Sequence, residues 1–246
     1  ARAPSLHNSQ PWRGVWRDRS AELHVDTHRL LPATDAFNRQ GIVGCGVALH
    51  HAEAAWAAAG WRTVTTRFPV PADRTQLATL DITGRHPAGE PDELLGAAID
   101  RRYSDRMPMD APPDLRATVE VARFLGRRFA TDIHVVAERQ RTELARIAAT
   151  TSAQRRYDPR YQDELNWWTS GPDAGEAGVP ASALPTMPAR EQVPAGRVFP
   201  AGTATAPGDA ADESAILVLS GSDDTAETLL DCGSALSAIL LECTLQ

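Results

Sequence analysis

Three arginines and a serine fall within six residues: Arg101-Arg102-Tyr103-Ser104-Asp105-Arg106. A guanidinium grips oxygens through a planar fork, so this spacing gathers strong donors around one anion. In extended backbone, Arg102, Ser104 and Arg106 share a face. From composition alone, a solvated basic loop is the competing reading. A second stretch with specific chemistry opens the chain: Ala3-Pro4-Ser5-Leu6-His7-Asn8-Ser9-Gln10-Pro11-Trp12. It has no hydrophobic period. Pro4 and Pro11 fix the backbone, while Ser5 and Asn8 offer short polar groups to nearby backbone or to a ligand. His7 reads either as part of that site or as a packed loop histidine. A loop with this much fixed chemistry is expected to hold something.

Other spacings carry less. His24 and His28 lie in a strand-like run, roughly 13 Å apart. His50 and His51 are neighbours, which point in different directions on a helix. No metal site is therefore expected. Gly44-x-Gly46 lacks the third glycine and the preceding strand of a dinucleotide fingerprint. No Gly-x-Ser-x-Gly elbow occurs, and Cys45 and Cys232 read as small packing residues rather than nucleophiles.

The elements that must position the two stretches alternate between strand and helix, which predicts an α+β fold with an antiparallel-dominated sheet. Residues 15–25 read as a strand and 41–59 as a helix buried on most sides. Strands follow at 63–68 and 76–82, and a Pro/Gly/acid linker at 86–92. A short helix at 93–101 leads into the arginine cluster. Beyond it come helices at 115–128 and 141–155, with a strand at 132–136. A long irregular span at 171–212 precedes a strand at 215–219 and a second buried helix at 233–245. Cys45-Gly46-Val47-Ala48-Leu49 recurs as Cys232-Gly233-Ser234-Ala235-Leu236, each opening a buried helix. This marks two halves, 1–90 and 91–246, against the alternative of coincidence in an alanine-rich chain. Small residues would let the two helices approach closely.

Bulk properties narrow the class. The chain has 246 residues, 42% hydrophobic and 23% charged, an ordinary globular composition. A net charge of −7 argues against wholesale nucleic-acid binding. All 25 basic residues are arginine, so any phosphate site must use arginine. Three cysteines without a Cys-x-x-Cys pair fit a reducing, cytoplasmic setting. Neither a signal peptide nor an apolar run long enough to cross a bilayer is read from the sequence. Both ends are expected to be trimmed.

The opening stretch, read as Arg2 through Trp12, resembles the Arg-Ala-Pro-Ser-x-His-Asn-x-Gln-Pro-Trp segment of the nitroreductase family, Acg-like branch of actinomycete proteins. Leu31-Pro32-Ala33-Thr34-Asp35, Cys45-Gly46-Val47-Ala48-Leu49-His50-His51, Arg101 to Arg106 and Gly178-Val179-Pro180-Ala181 extend the resemblance along the chain. It implies a nitroreductase-like fold in which two pseudo-symmetric halves of one chain mimic the family homodimer, a monomer by internal pairing. It implies one FMN per chain, held by Pro4, Ser5, Leu6 and Asn8 from the first half and by Arg101, Arg102, Ser104 and Arg106 from the second. Arg102, Ser104 and Arg106 match the family's Arg-x-Ser-x-Lys/Arg phosphate motif residue by residue; Arg101 lies outside it. Leu6 stands where the family often has a second serine, and Asn8 suits the pyrimidine edge of the flavin. The implied activity takes hydride from NAD(P)H and passes electrons to a small nitroaromatic or quinone acceptor. FMN carries that chemistry, so no catalytic side chain is required. The alternative is an Acg-like protein that stores or sequesters FMN with little turnover. In that reading the loop at about 167–212 folds over the flavin as a lid, and the paired tryptophans Trp167-Trp168 argue that it is ordered.

Overall fold

The structure is a computed structural model that describes residues 2–170, 177–205 and 211–246. Asp18, with φ at 42°, turns the run at 15–25 back on itself. A hairpin of β1 (Trp12–Arg17) and β2 (Ser20–Val25) replaces the single expected strand, with Arg17 opposite Ser20. Strand-forming residues resume directly after the turn and no glycine marks it, so the pattern reads as one strand.

Asn38 and Asp35 start α1 (Arg39–Ala58). Asn38 adopts a left-handed φ of 56°, and Asp35 Oδ2 accepts the Gly41 amide at 2.9 Å. The strands β3 (Trp61–Arg67) and β4 (Gln76–Arg85) complete an antiparallel sheet in the order β1-β2-β4-β3. Helix α2 (Glu90–Arg101) begins inside the stretch read as a linker, because Pro91 suits a first helical turn and Asp92 Oδ2 accepts the Gly89 amide at 3.1 Å. Asp114 caps α3 (Leu115–Arg127). A second sheet pairs β5 (Asp132–Val135) with β6 (Leu217–Ser220), antiparallel. Between these strands lie α4 (Glu138–Arg155), α5 (Pro159–Ser170) and the short α6 (Met187–Glu191). Helix α7 (Ala226–Leu245) follows, capped by Thr225.

Helix α5 has no counterpart among the expected elements. Of its buried residues, Tyr161, Leu165 and Trp168 hold helical spacing, but the polar residues between them hide the period. The loop expected at 167–212 therefore starts later. Trp168 is buried inside α5 and packs with Leu31 and Ala177, whereas Trp167 is exposed. Of the expected lid, residues 171–176 and 206–210 lie outside the described residues.

Helices α1 and α7 cross at the repeated Cys-Gly pairs. A Cβ on Gly46 would sit 2.0 Å from the Leu230 carbonyl oxygen and 2.9 Å from the Gly233 Cα. A Cβ on Gly233 would sit 2.0 Å from the Val43 oxygen and 2.8 Å from the Gly46 Cα. Each glycine is thus the space the other helix occupies. Ser234 Oγ lies 3.3 Å from the Gly46 carbonyl oxygen. The first sheet packs on this pair through Leu23, Leu49, Leu77, Leu80 and Leu230. Ala98 of α2 and Ala54 of α1 meet Leu241, and Ala122 of α3 and Ile133 of β5 meet Ile239. Contrary to expectation, α7 is long and apolar enough to span a membrane by length and hydropathy. In this fold it is the central pillar, covered by α1, α2 and α3.

Candidate functional site

Helix α2 ends at Arg101, and Arg102 leaves it with φ −64° and ψ 129°. The change of direction separates the two arginines. Arg101 stays on the exposed last turn, while Arg102 becomes half-buried. Arg102 Nη2 donates to the Arg2 carbonyl oxygen at 2.7 Å, and Arg106 Nη1 to the Ser104 oxygen at 3.2 Å.

The opening loop is held by its own side chains. His7, Asn8 and Gln10 all have positive φ, at 52°, 52° and 54°. Such backbone costs energy in non-glycine residues and persists only where the surroundings enforce it. Gln10 is the brace: its amide nitrogen donates to Asn8 Oδ1 at 2.7 Å and to the Ala3 oxygen at 3.1 Å, and its backbone amide donates to Ser5 Oγ at 2.9 Å. The loop lies on α1 over Gly44, where a Cβ would make ordinary contact with Ser5 Cβ at 3.4 Å and Pro11 Cγ at 3.6 Å. Cys45 Sγ donates to the Pro11 oxygen at 3.3 Å, and burial pushes the Cys45 thiol up to about 12, which leaves it without thiolate character.

The two stretches meet across a cleft of about 360 Å³. Pro4, Ser5 and Asn8 line it from one side, and Arg102, Ser104 and Arg106 from the other. Two of the eight expected residues do not. Arg101 faces solvent for the reason given above. Leu6 is apolar and packs against Leu31, Trp168 and Ala177 instead. The lining also includes Arg2, Tyr103, Gly178, Val179, Pro180 and Ala183, none of which sequence reasoning placed in the site. Arg2 and Gly178-Val179-Pro180 lie inside recognised motifs, and that was the available signal. Gly178, at φ 89°, accepts from Asn8 Nδ2 at 2.8 Å and returns its own amide to the Asn8 oxygen at 3.0 Å. Asn8 is therefore a brace as well as a wall, and keeps one N–H and one lone pair for other use. Motif residues 31–35 secure the neighbouring helix: Glu164 of α5 accepts the amides of Ala33 and Thr34, each at 3.0 Å.

The electrostatics are those of an anion site. The charged residues lining the cleft are Arg2, Arg102 and Arg106. Burial, then the Arg2 charge, lowers the pKa of Arg102; burial also lowers that of Arg106, against the opposing pull of Asp105. Arg102 Nε is buried with no hydrogen-bond partner among the described residues. Cations held close together with unspent donors are stabilised by an incoming oxyanion. Pro4, Val179 and Pro180 add rigid apolar surface suited to a planar ring, and the volume lies within the ordinary range for cofactor pockets. The residues present thus fit a nucleotide that joins a phosphate to a flat ring. Larger spaces of about 660 and 510 Å³ open between α2 and α7 and between α4 and α5, but neither gathers the motif residues. No group of three His, Cys, Asp or Glu among the described residues is placed to hold a metal ion.

No family model matches the chain. It is 40% identical over 246 residues to a Mycobacterium tuberculosis protein named "Putative NAD(P)H nitroreductase acg", covering 99% of this chain and 74% of that one. This chain belongs to the Acg-like nitroreductase family. Two further M. tuberculosis relatives match over 99% of the chain. One, of uncharacterized function by its name, is 39% identical with 72% of its length covered. The other, 36% identical with 70% covered, carries the same nitroreductase description as the first. With an Acg-like chain in hand, the mixed helix and antiparallel sheet is a nitroreductase-like α+β fold.

Proposed function

We propose that this protein binds one FMN in the cleft between the opening loop and the arginine segment, and works as an NAD(P)H-dependent oxidoreductase on nitroaromatic or quinone-type acceptors. The observation that carries the reading is the convergence of Pro4, Ser5 and Asn8 with Arg102, Ser104 and Arg106 on one cationic cleft. Arg102, Ser104 and Arg106 would hold the phosphate, and the apolar walls the ring. When bound, FMN supplies the electron transfer. The chain's own part is to orient the ring, exclude water with Val179 and Pro180, and place positive charge where negative charge develops. The glycine-to-glycine crossing of α1 and α7 supports two fused halves, 1–90 and 91–246, acting as one monomer. Three free cysteines, two of them buried, suit a reducing cytoplasm.

FMN storage is a second reading of the same site. It is favoured by the reciprocal Asn8–Gly178 hydrogen bonds, which fasten the 177–183 wall to the opening loop. Anaerobic titration of the FMN-loaded protein with NADPH or NADH separates the two. Bleaching of the flavin absorbance, reversed by a nitroaromatic or quinone, supports turnover. A yellow protein that neither donor bleaches supports storage. A colourless protein that takes up no added FMN overturns both.

A further inference from the structure

Arg106 lines a second, smaller space beside the cleft. This annex of about 170 Å³ is bounded by Arg106, Arg190 and Arg197, with Phe199, Val193 and Pro185 as apolar walls. Among the described residues, none of the three guanidinium groups meets a carboxylate within 4.0 Å. Their hydrogen bonds among the described residues leave donors over. Arg190 Nη1 donates to the Phe199 oxygen at 2.7 Å, Arg197 Nη1 to His7 Nε2 at 3.3 Å, and Arg106 Nη1 to Ser104. Asp105, the annex's one lining carboxylate, is turned to its own loop, accepting the Met107 amide at 2.9 Å and facing the Tyr103 hydroxyl at 3.4 Å.

The remaining walls define the shape of a guest. Phe199 presents its ring to the Arg106 guanidinium at 5.4 Å and meets His7 edge-on, with centroids 5.6 Å apart. These two contacts fix the orientation of the ring, which makes it a preset aromatic wall of the annex. Three cations against one engaged carboxylate favour an anion, and a small space walled by an aromatic ring, a valine and a proline favours a flat one.

We propose that the annex is a subsite for the anionic end of a small aromatic acceptor, one that carries a carboxylate or similar oxyanion, gripped by Arg190 and Arg197 with its ring against Phe199. The proposal rests on the reading that the adjoining cleft holds FMN, since the annex opens beside that cleft and shares Arg106 with it. It makes Arg197 and Arg190 specificity residues, distinct from the arginines assigned to the phosphate.

The test is equilibrium dialysis of 4-nitrobenzoate and of neutral 4-nitrobenzyl alcohol against the full chain saturated with FMN, at low ionic strength. The acid is expected to bind at least ten-fold tighter than the alcohol. Arg197→Gln and Arg190→Gln are each expected to remove about ten-fold of that preference, the worth of one charge-assisted hydrogen bond. Both variants should keep the FMN affinity of the parent. Arg197 is exposed, so its replacement leaves the fold intact and the test stands even if Arg190→Gln fails to fold. Equal binding of acid and alcohol overturns the proposal, as does a preference that is undiminished in Arg197→Gln. If the protein takes up no FMN, the cofactor reading falls by itself, and dialysis without FMN judges the annex by the same ten-fold criterion.

Discussion

His7, His50 and His51 are held in surroundings that keep their rings far from solution chemistry. Burial is the main cause for each. It acts with Arg197, Arg106 and Arg155 at His7, with Arg128 at His50, and with Arg102 and then His50 at His51, and it lowers all three from 6.5 to about 4. At neutral pH all three rings are therefore uncharged. Arg197 always donates, so His7 accepts through Nε2 and carries its proton on Nδ1. His51 has no hydrogen-bond partner on either nitrogen among the described residues. Folded pKa values below the unfolded ones mean that the unfolded chain binds more protons between the two, so stability rises with pH across that window. The expected result is a urea midpoint that is level above about pH 6.5 and falls steadily as the pH drops toward 4. His51→Gln should flatten that slope, because it removes one of the groups that must stay neutral. A midpoint independent of pH over this range would contradict the burial assigned to these rings. None of this was visible in the sequence, where His7 could be a packed or a site residue and the pair at 50–51 only looked unsuited to a metal.

At the scale of elements, the α1–α7 crossing sets how close the two halves come. Gly233→Ala would drive a methyl group to 2.0 Å from the Val43 oxygen, against backbone that cannot move aside alone. Overpacking of this kind costs about 1–3 kcal/mol, and more where backbone is struck. The variant should unfold at clearly lower urea than Gly84→Ala, whose Cβ would meet nothing within 4 Å in strand β4. Equal midpoints would mean that the helices do not depend on the close approach. The crossing was legible from the repeated Cys-Gly-x-Ala-Leu pattern because close packing demands small residues and leaves that trace. The strands β3, β4 and β5 were legible for the same kind of reason, through apolar and β-branched runs. The hairpin at Asp18 was not, because a turn made by left-handed backbone at an aspartate leaves no glycine to read. Helix α5 was missed because its buried residues, Tyr161, Leu165, Trp168 and Thr169, include too few apolar ones to raise a period above their polar neighbours.

Across the whole molecule, the cleft depends on contacts between positions far apart in sequence. Asn8 reaches Gly178, Arg2 meets Arg102, and Glu164 fastens residues 33–34. Six of the eight residues named from motifs converge there, since motif residues that touch one ligand must share one space. Arg101 and Leu6 escaped the rule: a helix end sends consecutive residues in different directions, and an apolar side chain sinks into the nearest core. The wall from Gly178 to Ala183 went unassigned because its contribution is largely backbone and shape, which side-chain chemistry does not announce. The proposed function stands on the two stretches forming one FMN site in each chain. Calorimetric titration of FMN into flavin-free protein tests it most directly, run alongside Arg102→Ala and Arg106→Ala. The expected result is a single site, one FMN per chain, weakened at least ten-fold by either replacement through loss of about 1.5–3 kcal/mol of charge-assisted bonding. Two FMN per chain, no binding, or an affinity that neither arginine changes would contradict it.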